Sequence, residues 1–121
     1  MILIVGGAGF VGSRLAKIFD QHGVVFQSVD ITLSDEGYCD ITNPNSLANL
    51  PAADVVINLA AEHRDDVSPR SRYDKTNVQG ARNLCEYCRQ RNIKRIIFTS
   101  SVAVYGFAPD GTNEEIGRAH V

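Results

Sequence analysis

Apolar residues in this chain fall alternately into short solid runs and helical stripes, and that alternation predicts its elements. Ile2 to Val5 form an unbroken apolar run rich in β-branched residues, as in a short strand buried on both faces of a parallel sheet. Leu15, Ile18 and Phe19 then recur at helical spacing from Ser13 to Phe19, with Arg14 and Lys17 off the stripe, and His22-Gly23 closes that helix with glycine in its usual terminal place. Val24 to Val29 make the next apolar run, which ends at Asp30. Ile31 to Gly37 read as a surface loop, and Tyr38-Cys39 as a short third strand. A helix is expected from Asn43-Pro44, a capping residue before a first-turn proline, to about Leu50. Asp54 to Leu59 is a buried strand centred on Val55-Val56-Ile57. From Tyr73 to Arg91 the spacing predicts a long helix with Val78, Ala81, Leu84, Cys85 and Cys88 inward and Lys75, Arg82, Arg89 and Gln90 outward, ended by Asn92. Arg95 to Ser100 is the last strand. Strands alternating with helices imply an α/β fold with a doubly wound parallel sheet.

The turn after the first strand carries the first chemistry. Gly6, Gly9 and Gly12 stand at G-x-x-G-x-x-G spacing between strand and helix. In such a turn one glycine permits a backbone angle closed to other residues, one lets a pyrophosphate approach, and one lets helix pack on strand. The helix would then aim its free N–H groups and positive dipole end at the phosphates. Asp30 closes the second strand at the place where a ribose-binding acid is expected, and a carboxylate there accepts from the adenosine 2′-hydroxyl and repels a 2′-phosphate. NAD is therefore expected over NADP.

Composition narrows the partners. The chain has 121 residues, 44% of them hydrophobic and 21% charged, which suits one soluble domain. A formal net charge of −2 gives no electrostatic reason to expect nucleic acid or an acidic membrane surface. With no apolar run as long as a membrane span and neither a basic leader nor a cleavage-like signal at the start, a cytoplasmic location is expected. Three cysteines, Cys39, Cys85 and Cys88, make no disulfide framework. The C-x-x-C at Cys85 lacks the second ligand pair that zinc requires, so both thiols read as small core or interface residues. Glu62 to Asp66 is a charged loop that either is merely solvated or faces a ligand crevice, and His63 within it has no second ligand cluster, so no metal is expected.

Taken together the motifs resemble the N-terminal part of the extended short-chain dehydrogenase/reductase family, in its nucleotide-sugar epimerase and dehydratase branch. They are G-G-A-G-F-V-G at Gly6 to Gly12, Asp30, Asp40-Ile41, N-L-A-A at Asn58 to Ala61, N-V-Q-G at Asn77 to Gly80, and S-S-V-A-V-Y-G at Ser100 to Gly106. The resemblance implies Phe10 and Val11 against the pyrophosphate, Asp30 on the adenosine ribose, and Asp40 and Ile41 flanking adenine. It further implies Leu59, Ala60 and Ala61 along the path to the nicotinamide, Asn77 near that end, and Ser101 as the catalytic serine that bonds the reacting sugar oxygen. A nucleotide-sugar substrate follows, and a homodimer through the helix at residues 73–91.

The family's catalytic tyrosine belongs to a Y-x-x-x-K pair, whose lysine lowers the phenol's pKa so that it acts as a base near neutrality. Four residues after Tyr38, Tyr73, Tyr87 and Tyr105 stand Thr42, Asn77, Arg91 and Pro109, so the resemblance places that pair beyond residue 121. Residues 1–114 are accordingly expected to be an incomplete NAD-binding domain. Residues 115–121, E-I-G-R-A-H-V, leave the family pattern and coincide with one reading frame of a common short-read sequencing adapter, so they are expected to be a non-native tail. The resemblance implies an epimerase that oxidises a sugar carbinol transiently and returns the hydride to the other face. A dehydratase is the first alternative, disfavoured because Val102-Ala103 stand where that branch carries an Asp-Glu pair. A non-catalytic NAD(P)-binding regulatory protein is the second, and an NADP-dependent reductase is disfavoured by Asp30. The chain alone is expected to be inactive.

Overall fold

The computed structural model describes residues 1–60 and 75–99, with side chains from residue 77 onward in the second stretch. Strands β1 (Ile2–Val5), β2 (Phe26–Val29), β3 (Val55–Asn58) and β4 (Arg95–Phe98) form one parallel sheet in the order β2-β1-β3-β4. Helix α1 (Phe10–Gln21) joins β1 to β2, the short α2 (Pro44–Leu47) lies between β2 and β3, and α3 (Ala81–Gln90) precedes β4. Val5 is level with Val29 on one side and Asn58 on the other, so three strands end together. The strand order reverses at β1, where the connections leave in opposite directions and open a crevice above the carboxyl ends.

The two central strands, β1 and β3, are buried on both faces, as a parallel sheet requires, whereas Ile97 and Phe98 of β4 are exposed. On one face Leu3, Val5, Val29 and Val56 pack with Leu84, Tyr87 and Cys88 of α3 and with Ile41 and Leu47. Alternation along the strand turns Ile4, fully buried as well, to the opposite face. There α1 docks on β2, with the Phe19 and Phe26 rings 5.6 Å apart. Each fully buried Leu, Ile or Val contributes about 1.5–3 kcal/mol, which makes Leu3, Ile4 and Leu84 principal anchors.

Several elements depart from the sequence pattern. Tyr38-Cys39 is not a strand: Tyr38 makes one isolated parallel bridge with Asp30, after a 3-10 turn at Asp35–Gly37 in which Asp35 has φ 53. The ladder stops because Asp40 immediately folds into a turn on Thr42. Helix α2 starts as expected, with Asn43 Oδ1 accepting from Asn45 N–H, but ends at Leu47 and not near Leu50. Leu50 precedes Pro51, whose ring disfavours helical geometry in the residue before it.

Residues Lys75–Gly80 form a π turn ahead of α3. Its wider pitch puts Val78 out of phase with the buried stripe Leu84, Tyr87 and Cys88, so Val78 is exposed and not inward. Cys85, expected inward, is also exposed, one helical step off that stripe, whereas Tyr87 is buried and donates its hydroxyl to the Pro51 carbonyl oxygen at 3.2 Å. Ile18 of α1 is likewise exposed. Both helix ends match expectation: α1 closes at His22 with Gly23 at φ 68, and Asn92 takes φ 58 after α3. Among the described residues no helix is long and apolar enough to cross a membrane.

Candidate functional site

The crevice is built where β1 runs into α1. Gly6 has φ 79, and a Cβ there would lie 2.6 Å from the Ala60 amide nitrogen, so the turn closes against the end of β3 only with glycine. Backbone bonds lace the three strand ends together. Gly6 and Gly7 N–H both donate to the Val29 carbonyl at 2.9 and 3.0 Å, and Leu59 N–H donates to the Val5 carbonyl at 2.7 Å. Asn58, buried at the tip of β3, accepts the Ala60 N–H on Oδ1 at 3.1 Å.

Gly12 packs the helix onto this turn, since a Cβ there would stand 2.7 Å from both the Gly6 carbonyl oxygen and Gly7 Cα. Gly9 is different. A Cβ on it would meet only the Gly6 carbonyl oxygen at 3.5 Å, an ordinary contact, so the protein's own packing does not demand a glycine. It is the N-cap of α1, no side chain caps the first turn, and that turn holds no acidic residue. Uncapped N–H groups at the positive end of a twelve-residue helix, behind a residue without a side chain, fit an anionic group such as a diphosphate. Phe10 and Val11, expected beside it, are exposed, with the Arg14 guanidinium 3.5 Å above the Phe10 ring centre.

Asp30 stands at the carboxyl end of β2, beside this turn. Its Oδ2 accepts the Ala8 N–H at 3.0 Å, and its Oδ1 accepts both the N–H and the hydroxyl of Thr32, each at 3.0 Å. The acid expected to hold a ribose is thereby tied to the loop expected to hold the phosphates. The same turn recurs at Asp40, whose Oδ1 accepts from Thr42 N–H at 3.0 Å and from Thr42 Oγ1 at 2.7 Å, while its own N–H donates to Ser46 Oγ at 2.9 Å. Ile41 is buried against Gly80, and its carbonyl accepts from Asn83 Nδ2 at 2.9 Å. Asn77 lies in the π turn just before Gly80.

The structure thus gathers Gly6, Gly9, Gly12, Asp30, Leu59 and Ala60 around one crevice, with Asp40 and Ile41 on the following loop. Ala61 and Ser101 lie outside the described residues. The sequence pattern assigns no role to Thr32, Thr42 or Asn58, although Asn58 opens the N-L-A-A motif. The first two were available from the repeated Asp-Ile-Thr, because a threonine two residues after an aspartate can donate twice to the carboxylate. Asn58 was signalled by an amide ending an otherwise apolar strand.

The model of the NAD dependent epimerase/dehydratase family matches residues 2–120. The chain belongs to that family. An N-acetyl-alpha-D-glucosaminyl-diphospho-ditrans,octacis-undecaprenol 4-epimerase of Escherichia coli O157:H7 is 40% identical over 118 residues, 93% of this chain and 36% of its own length. Among solved structures, UDP-glucose 4-epimerase from Brucella ovis in complex with NAD aligns with a TM-score of 0.80 and 28% identity, covering 97% of this chain and 43% of that one. ADP-L-glycero-D-manno-heptose-6-epimerase from Helicobacter pylori aligns with a TM-score of 0.79 and 31% identity, covering 93% of this chain and 42% of that one. The chain therefore spans well under half the length of these epimerase/dehydratase family members, and the segment they share is the one that builds the crevice described above.

Proposed function

We propose that this chain is the NAD-binding part of a nucleotide-sugar epimerase. The observation that carries the reading is the bond from Ala8 N–H to Asp30 Oδ2, because it holds a ribose-accepting carboxylate at a fixed place relative to the uncapped start of α1. Gly9 and the first-turn amides receive the diphosphate, with Phe10 and Val11 alongside. Asp30 accepts from the adenosine ribose and repels a 2′-phosphate, Asp40 and Ile41 flank adenine, and Leu59, Ala60, Ala61 and Asn77 lie toward the nicotinamide. When bound, NAD supplies a reversible hydride acceptor. Ser101 donates a hydrogen bond to the sugar oxygen being oxidised and holds it while the proton leaves.

Epimerisation is favoured over dehydration because Val102-Ala103 can act as neither acid nor base where elimination needs a carboxyl pair. Val78 on the π turn and Cys85 on α3, both exposed, support self-association through this part of the chain. The chain alone is inactive on this reading, since it holds no Y-x-x-x-K.

Two measurements test the proposal. In an amide-resolved NMR titration of the chain, NAD is expected to shift Ala8, Gly9, Phe10 and Thr32; unshifted signals at saturating NAD would sink it. Sequencing the source gene past codon 114 is expected to reveal a Y-x-x-x-K downstream. An intact downstream region without that pair would favour the non-catalytic binder.

A further inference from the structure

Asp30 could have been left to rotate freely at the end of its strand, but the structure restrains it with three donors. A carboxylate has about four acceptor sites, two on each oxygen. Thr32 fills Oδ1 with its N–H and its hydroxyl, and Ala8 takes one site on Oδ2. The backbone is fixed as well, since Asp30 N–H donates to the Gly37 carbonyl at 2.8 Å, and its carbonyl accepts from Leu33 N–H at 3.2 Å and Cys39 N–H at 3.1 Å. The remaining strong acceptor position belongs to Oδ2. Thr32 itself is exposed and contributes nothing to the core.

We propose that Thr32 is a positioning residue for adenosine recognition, its side-chain hydroxyl holding the plane of the Asp30 carboxylate so that Oδ2 meets a ribose hydroxyl already oriented. This rests on the reading of Asp30 as the ribose acid. Orienting the acceptor before the ligand arrives removes an ordering cost that binding would otherwise carry. The turn at Asp40 uses the same Thr42 bonds, but among the described residues nothing ties its second oxygen to the glycine turn. The full set of restraints is therefore particular to Asp30.

The test compares ADP with 2′-deoxy-ADP on the 121-residue chain, by NMR or calorimetric titration, for wild type, Thr32→Val and Thr32→Ser. Thr32→Val keeps the backbone donor and removes only the hydroxyl. Binding must then order the carboxylate itself, and immobilising one side chain predicts ADP binding weakened about three- to fivefold. Thr32→Ser should bind as wild type does, and 2′-deoxy-ADP should bind wild type and Thr32→Val alike. Unchanged ADP affinity in Thr32→Val overturns the proposal, and so does an equal weakening for both nucleotides, which would mean that the hydroxyl acts through the fold. If wild type fails to distinguish ADP from 2′-deoxy-ADP, the ribose role of Asp30 falls first, and the positioning role falls with it.

Discussion

The Asn83 side-chain amide donates to the Ile41 carbonyl oxygen at 2.9 Å across 42 positions of sequence, and three residues earlier Gly80, the N-cap of α3, lies under the Ile41 side chain. Helix α3 and the loop after β2 are thereby fixed together, although no sheet contact joins them.

Removing this amide should loosen the loop without touching the sheet. Asn83→Ala is expected to cost about 1 kcal/mol, the net worth of one partly buried hydrogen bond. At this chain length that lowers the melting temperature by about 3–6 °C, readable by circular dichroism. An unchanged melting temperature would show that the bond does not contribute.

The two glycines at the start of α1 should separate stability from binding. Gly12→Ala forces a methyl to within 2.7 Å of backbone atoms of Gly6 and Gly7, an overpacking expected to cost about 1–3 kcal/mol in urea denaturation. Gly9→Ala places its methyl 3.5 Å from the nearest atom and should leave stability within about 0.5 kcal/mol. Its methyl occupies the diphosphate's approach, however, and ADP affinity should fall by about tenfold or more. Normal ADP binding by Gly9→Ala would mean that the diphosphate lies elsewhere.

Removing the acid should alter cofactor preference more than fold. Asp30→Ala is expected to weaken NAD more than NADP, because it removes a ribose acceptor from the first and a repulsion from the second. Equal losses in parallel titrations would refute the assignment. Some destabilisation accompanies the change, since Ala8 and Thr32 lose their acceptor.

The cysteines should differ in reactivity. Burial pushes the Cys39 and Cys88 thiols up from 9.0 to about 11, whereas Cys85 is exposed. Brief iodoacetamide treatment at pH 8 should label Cys85 alone, and mass spectrometry should find all three labelled only in denaturant. Because these folded-state values lie above the unfolded one, their stabilising effect is complete below pH 9.0 and is lost as pH rises toward and through about 11. Stability that stayed flat between pH 9 and 11 would contradict the burial of both thiols.

Local pattern made much of the molecule legible: the strand from Ile2, the glycine turn, the helix stop at Gly23 and the acid after Val29 each follow from steric or periodic rules acting over a few neighbours. Asn43 before Pro44 likewise announced its own helix start. The sheet contacts decided the rest. Tyr38 makes a bridge and not a strand because Asp40 turns away at once, and Cys85 faces out while Tyr87 faces in because α3 packs on the core along Leu84, Tyr87 and Cys88. Above all, the sequence by itself determined that Asp30 is an acid at a strand end. Only tertiary structure decided where its oxygens point, because the donor on Oδ2 comes from Ala8, 22 positions away, and hydrogen bonds over that distance exist only once the two strands pair.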